Sequence, residues 1–123
     1  MMWLYSVSDS PDDDRSAGPP GGLVAIEVMF SEGTATVVIG GELDLVTMPL
    51  LAERLALIAR QKPRRLVLDM ARTSFMDCGS ARLIAEAGRS LPDAEVLVIR
   101  HPSPAVRRLL ELLGLDAVCE IEG

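Results

Sequence analysis

Residues 66–84 read LVLDMARTSFMDCGSARLI. The run Leu66-Val67-Leu68-Asp69-Met70 is short and almost continuously apolar, the pattern of a strand covered on both faces of its sheet. From about Gly79 to Gly88 the apolar residues Leu83, Ile84 and Ala87 recur at helical spacing, and Gly88 suits a helix stop. Between strand and helix lies Ser74–Arg82, SFMDCGSAR, where an acid, a thiol, a glycine and a hydroxyl follow one another. Strand, polar loop and helix in succession form the repeating unit of an α/β layer fold.

The same unit recurs on either side. Downstream, Leu91-Pro92-Asp93 reads as a turn and Glu95–Ile99 as a second buried strand. Ser103-Pro104 then opens a helix with a hydroxyl at the N-cap and proline at the first helical position. Val106, Leu109, Leu110 and Leu113 stripe that helix, Gly114 ends it, and Val118–Ile121 reads as a short last strand. Upstream, Leu23–Met29 and Ala35–Ile39 flank the turn Ser31–Thr34 as a β-hairpin. Gly40–Asp44 is expected to leave the sheet. A helix over Met48–Arg60 carries the stripe Leu51, Leu55 and Ile58, with Thr47 as N-cap, and Gln61-Lys62-Pro63 stops it. The order is ββαβαβα(β): one α/β domain over residues 23–121, a mixed sheet of four to five strands packed by helices. Residues 1–22, rich in Ser, Asp, Pro and Gly over 6–22, are expected to form a flexible acidic leader.

Composition narrows the function. Apolar residues make up 49% of the 123-residue chain and aromatics only 3%, so the core must be aliphatic. The net charge of -6 and the lack of a basic stripe argue against a nucleic-acid partner. No apolar run approaches the roughly 20 residues that cross a bilayer, and the start MMWLYSVSDSPDDDR has no signal-peptide pattern, so a cytoplasmic location and no membrane partner are expected. Cys78 and Cys119 make no CxxC pair, His101 is the only histidine, and no metal site is expected. No phosphate loop or dinucleotide fingerprint is present, so no cofactor is expected. One histidine beside a proline offers no nucleophile–base pair, and the chain is read as a binding protein rather than an enzyme.

Two polar segments fall beyond carboxyl ends of strands, where α/β sheets gather their sites: Gly41-Glu42-Leu43-Asp44 and Asp77-Cys78-Gly79-Ser80. Both precede helices, whose free N–H groups favour anions. Asp77 suits an N-cap, and Glu42 and Asp44 suit loop and capping roles. Cys78 is either a small apolar filler or a thiol activated by the helix terminus. Arg82 suits a solvated face or a partner contact. Asp44, Asp69 and Asp77 form a carboxylate set only if the fold gathers them.

Three blocks, GELDLVTMPLL, LVLDMARTSFMDCGSARLI and HPSPAVRRLLELLGL, stand in an order and spacing that resemble the STAS domain, most closely the bacterial anti-sigma factor antagonists. The resemblance covers about Leu23 to Ile121. It implies a protein that binds an anti-sigma factor, often one with a serine-kinase-like ATPase fold, and so frees a sigma factor without touching DNA. It also implies that a kinase phosphorylates a D-S-[ST]-G loop and that a serine phosphatase reverses this. Asp77 matches the loop aspartate and Cys78 the residue after it. Gly79 stands where the phosphorylated Ser or Thr is usual, and Ser80 where glycine is usual. The partner contacts implied are Glu42, Asp44, Thr47, Asp77, Ser80 and Arg82.

Glycine has no hydroxyl, so the switch at position 79 is missing. Three readings follow: constitutive binding, phosphorylation displaced to Ser80, Thr73 or Ser74, or redox control through Cys78, with Cys119 if the last strand lies near. A sensing or scaffold module in a stressosome-like assembly is the alternative function.

Overall fold

The computed structural model describes residues 2–7, 24–91 and 97–123. Among them the elements are β1 Met2–Val7, β2 Val24–Ser31, β3 Thr34–Leu43, α1 Met48–Arg60, β4 Arg65–Met76, α2 Cys78–Arg89, β5 Leu97–Arg100, α3 Pro104–Leu112 and β6 Glu120–Glu122. A 3-10 turn, Leu115–Ala117, precedes the last strand.

The β2–β3 hairpin starts the sheet. Glu32 and Gly33 both take positive φ, 51° and 83°, the backbone of the two-residue turn whose twist matches its flanking strands. Along β2, Val24, Ile26 and Val28 are buried while Ala25, Glu27 and Met29 are only half-buried, so one face points into the core. On β4 and β5 the burial is continuous, Leu66-Val67-Leu68 and Leu97-Val98-Ile99, as their unbroken apolar runs lead one to expect. The strands lie side by side in chain order, antiparallel from β1 to β3 and parallel from β3 to β6. Each parallel step requires a crossover, and α1, α2 and α3 supply the three. Leu51, Leu55 and Ile58 of α1, Ala81 and Ile84 of α2, and Val106 and Leu110 of α3 join the same core as Ile26, Ile39, Leu68 and Ile99.

The expected order ββαβαβα(β) holds, and α1 covers the residues read for it. Several boundaries differ. Met2–Val7, assigned to the leader, pairs antiparallel with β2 and raises the strand count to six. The rest of the leader lies outside the described residues, as do Glu95 and Val96 of the expected fifth strand. β3 continues to Leu43 instead of leaving the sheet at Gly40, and β4 continues six residues past Met70. α2 begins at Cys78 and ends at Arg89, beyond Gly88. Gly88 does not take positive φ; a Cβ there would stand 2.7 Å from Leu97 Cδ2 and 3.0 Å from Leu97 Cβ. Its role is close approach of α2 to β5, not helix termination. Gly114, at φ 73°, does end α3 as read.

Candidate functional site

The site is built by lengthening β4. Val38 pairs with Asp69 but Gly40 pairs with Arg72, and Gly41 pairs with Thr73 but Glu42 pairs with Phe75. Each shift inserts one extra residue on β4, a β-bulge. Polar side chains secure both. The Asp69 carboxylate accepts the Ala71 N–H at 3.0 Å, Thr73 Oγ1 donates to the Ile39 carbonyl at 2.9 Å, and Ser74 Oγ donates to the Gly41 carbonyl at 3.2 Å. Gly41 takes φ 105°, a conformation open to glycine. The result is that Phe75 stands beside Glu42 and Met76 beside Leu43 at the sheet's rim, where the Asp77 N–H donates to the Leu43 carbonyl at 2.9 Å. The two polar segments singled out in the sequence are therefore neighbours.

The turn from β3 into α1 is closed by its own side chains. Asp44 Oδ1 accepts the N–H groups of Val46 and Thr47, each at 3.0 Å. Thr47 Oγ1 donates to the Glu42 carbonyl at 2.7 Å and accepts the Asp44 N–H at 3.0 Å. Thr47 occupies the N-cap of α1, but its hydroxyl turns back into the loop and makes no cap bond to the helix. It is buried, with its hydroxyl committed to holding the turn, where the resemblance implies a partner contact. The closed turn leaves Leu45 and Val46 at its tip, 78% and 79% exposed.

Across the rim, Asp77 caps α2 as expected: its Oδ1 accepts the Ser80 N–H at 2.8 Å. Cys78 is exposed and Gly79 half-buried. Ser80 is fully buried, and among the described residues its hydroxyl has no hydrogen-bond partner. Its side chain offers no surface to solvent in this conformation. Thr73 is also buried, with its hydroxyl committed to Ile39. Of the three displaced phosphoacceptors, Ser74 alone is exposed. Arg82 lies exposed on α2.

Cys119 is not part of this rim. It precedes β6, whose Glu120 is level with Val98 and, through β5, with Val67 of β4. Cys78 lies beyond the far end of β4, on the order of 30 Å along the strand at about 3.3 Å per residue. A disulfide needs Cα atoms within roughly 7 Å, so the two cysteines do not pair within one chain. Burial pushes the Cys119 thiol above its ordinary pKa, with Asp116 adding to the effect, and its S–H donates to the Leu115 carbonyl at 3.0 Å. Asp69 is tied to Ala71 on the strand and makes no bond to the Asp77 loop, and no metal-binding cluster forms among the described residues.

Sequence reasoning missed Leu45, Val46 and Phe75, the last 50% exposed. They are large apolar side chains at the rim, on the turn and strand that carry Asp44 and Asp77. The only signal in the chain is the placement of Leu45-Val46 between Asp44 and Thr47, whose side chains close the turn and force them to its tip.

A profile of the STAS domain matches residues 25–122. The chain belongs to the STAS domain family. The chain is 26% identical over 93 residues to the anti-sigma-F factor antagonist RsfB of Mycobacterium tuberculosis, covering 76% of each chain. It superposes on the crystal structure of an anti-sigma factor antagonist from Mycobacterium paratuberculosis with a TM-score of 0.77 and 25% identity, covering 85% of this chain and 89% of that one. Unphosphorylated SpoIIAA, an anti-sigma factor antagonist, shares the STAS fold with a TM-score of 0.68 at 23% identity, covering 79% and 87%. Among the described residues no helix is long and apolar enough to cross a membrane.

Proposed function

We infer that this chain is an anti-sigma factor antagonist. It binds an anti-sigma factor, displaces the sigma factor held there, and so acts on transcription without contacting DNA. The observation that carries this reading is the convergence of the β3–α1 turn and the β4–α2 loop on one rim, with Leu45, Val46 and Phe75 exposed, in a STAS chain similar to antagonists. Exposed apolar groups at a loop cluster suit protein binding rather than catalysis. The partner is read as a cytoplasmic anti-sigma factor of the serine-kinase-like ATPase fold.

Phosphorylation at the usual place in the loop is absent from this reading. Gly79 has no hydroxyl, and Ser80 and Thr73 are buried. Binding is constitutive with respect to that switch, a serine phosphatase has no substrate at position 79, and the amount of the chain sets how much sigma factor is free. A second reading rests on Cys78, exposed at the same rim. Oxidation of its thiol by a peroxide, with release of water, would place a polar sulfenic acid at this rim and weaken the contact.

The test is an affinity purification of the tagged full chain from its native cells, followed by mixing with a purified sigma–anti-sigma complex. Retention of an anti-sigma factor and release of free sigma factor are expected. A chain that captures no anti-sigma factor and leaves the complex intact overturns the function.

A further inference from the structure

We propose that the partner is recognised chiefly through an apolar knob formed by Leu45, Val46 and Phe75, which enters an aliphatic pocket rimmed by Lys or Arg on the anti-sigma factor. The proposal rests on the function above and names the chemistry of its contact. Leu45 and Val46 are the two most exposed large apolar side chains described, and Phe75, also exposed, stands on the neighbouring strand. Adjacent strands are about 4.8 Å apart, and Phe75 is in register with Glu42, two residues before the turn begins. The three side chains therefore share one end of the sheet. Their placement is enforced: Asp44 and Thr47 close the turn beneath Leu45 and Val46, and the second bulge of β4 brings Phe75 level with Glu42. A rigid apolar projection loses little freedom on binding, which is the property of interface anchors.

The charge around the knob specifies the rim of the pocket. Glu42, Asp44 and Asp77 lie on the same two converging segments, and Arg82 is one turn further along α2. Asp44 closes the turn and Asp77 caps α2 through Oδ1 alone; among the described residues Oδ2 of each carries no hydrogen bond. The outer carboxylate oxygens are left for donors on a partner. Three carboxylates around an apolar centre complement cations around an apolar pocket and would repel an acidic one. A second copy of this chain would bring the same three carboxylates to the contact, which disfavours self-association through the rim.

A photo-crosslinking amino acid placed separately at Leu45, Phe75 and the remote exposed Leu112 in the full chain, expressed in its native cells, tests the contact. Crosslinks to an anti-sigma factor from positions 45 and 75, and none from 112, are expected. Crosslinks to a second copy overturn the proposal. If the chain co-purifies with the anti-sigma factor yet positions 45 and 75 give no crosslink to it, the knob is wrong and the function stands. If neither co-purification nor crosslinking occurs, both fall. With the captured anti-sigma factor, Leu45→Ser and Phe75→Ser should each weaken binding about tenfold or more without loss of folded signal. Glu42→Gln should flatten the fall of affinity with salt. Unchanged affinity in both serine variants overturns the knob, and an unchanged salt slope in Glu42→Gln overturns its basic rim.

Discussion

A Cβ on Gly79 would lie 2.8 Å from the terminal methyl of Met48, so the first turns of α1 and α2 touch at this glycine. The neighbour is the free end of a flexible thioether chain, which can move aside. Gly79→Ser should therefore fold with a stability change within about 1 kcal/mol, since relief of glycine's helix cost offsets the displacement of Met48. Gly88→Ala should instead lose about 1–2 kcal/mol, because the added methyl meets Leu97 near its own backbone on a packed strand. Urea unfolding of the two variants measures the contrast.

Ser80 carries a buried hydroxyl with no partner among the described residues, and burying an unbonded hydroxyl costs free energy. Ser80→Ala should leave stability unchanged or raise it by about 1 kcal/mol, and should leave partner affinity unchanged. A variant that unfolds more readily than the native chain, or loses its partner, would show that the hydroxyl is bonded or exposed in solution.

Thr73→Val keeps the shape of the side chain but removes the donor to the Ile39 carbonyl at a bulge. The expected loss is about 1–3 kcal/mol, the cost of an unsatisfied buried carbonyl. Asp77→Ala, which removes the cap at Ser80, should cost about 1 kcal/mol, and Asp77→Asn should recover most of it because the amide oxygen still accepts the bond. Thermal unfolding of the three variants ranks them.

The two thiols should separate by chemistry. Cys78 is exposed and should alkylate readily in the folded protein, while Cys119, half-buried and held protonated, should react only slowly until the chain unfolds. The folded state raises the Cys119 pKa, so it keeps a proton that the unfolded chain releases. Stability from this source is complete below the unfolded value, near pH 9.0, and is lost as pH rises through the folded one. Cys119→Ala should flatten that alkaline decline. Treatment with a thiol oxidant should give no disulfide within a chain, and a Cys78–Cys119 crosslink in monomeric protein would contradict the strand register.

Features that depend on short-range chemistry were legible in the chain. Apolar spacing located α1 over Met48–Arg60, and the hydroxyl and carboxylate at Ser103 and Asp77 marked helix starts because a cap bonds only three residues ahead. The three ordered blocks pointed to the family whose profile matches residues 25–122. A one-dimensional pattern does not show how β4 aligns with β3, since a bulge is defined by what stands opposite it. The two register shifts commit Thr73 to Ile39 and bring Phe75 level with Glu42. Helix packing turns Ser80 inward although serine is ordinarily a surface residue. Met2–Val7 likewise gains strand structure only from its pairing with β2. The sequence by itself determined the order of elements and the caps at Asp77 and Ser103. Tertiary structure alone decided that Phe75 reaches solvent at the rim beside the β3–α1 turn and that Ser80 does not, because both follow from long-range register and helix packing, whereas the turn that exposes Leu45 and Val46 is closed by its own neighbours.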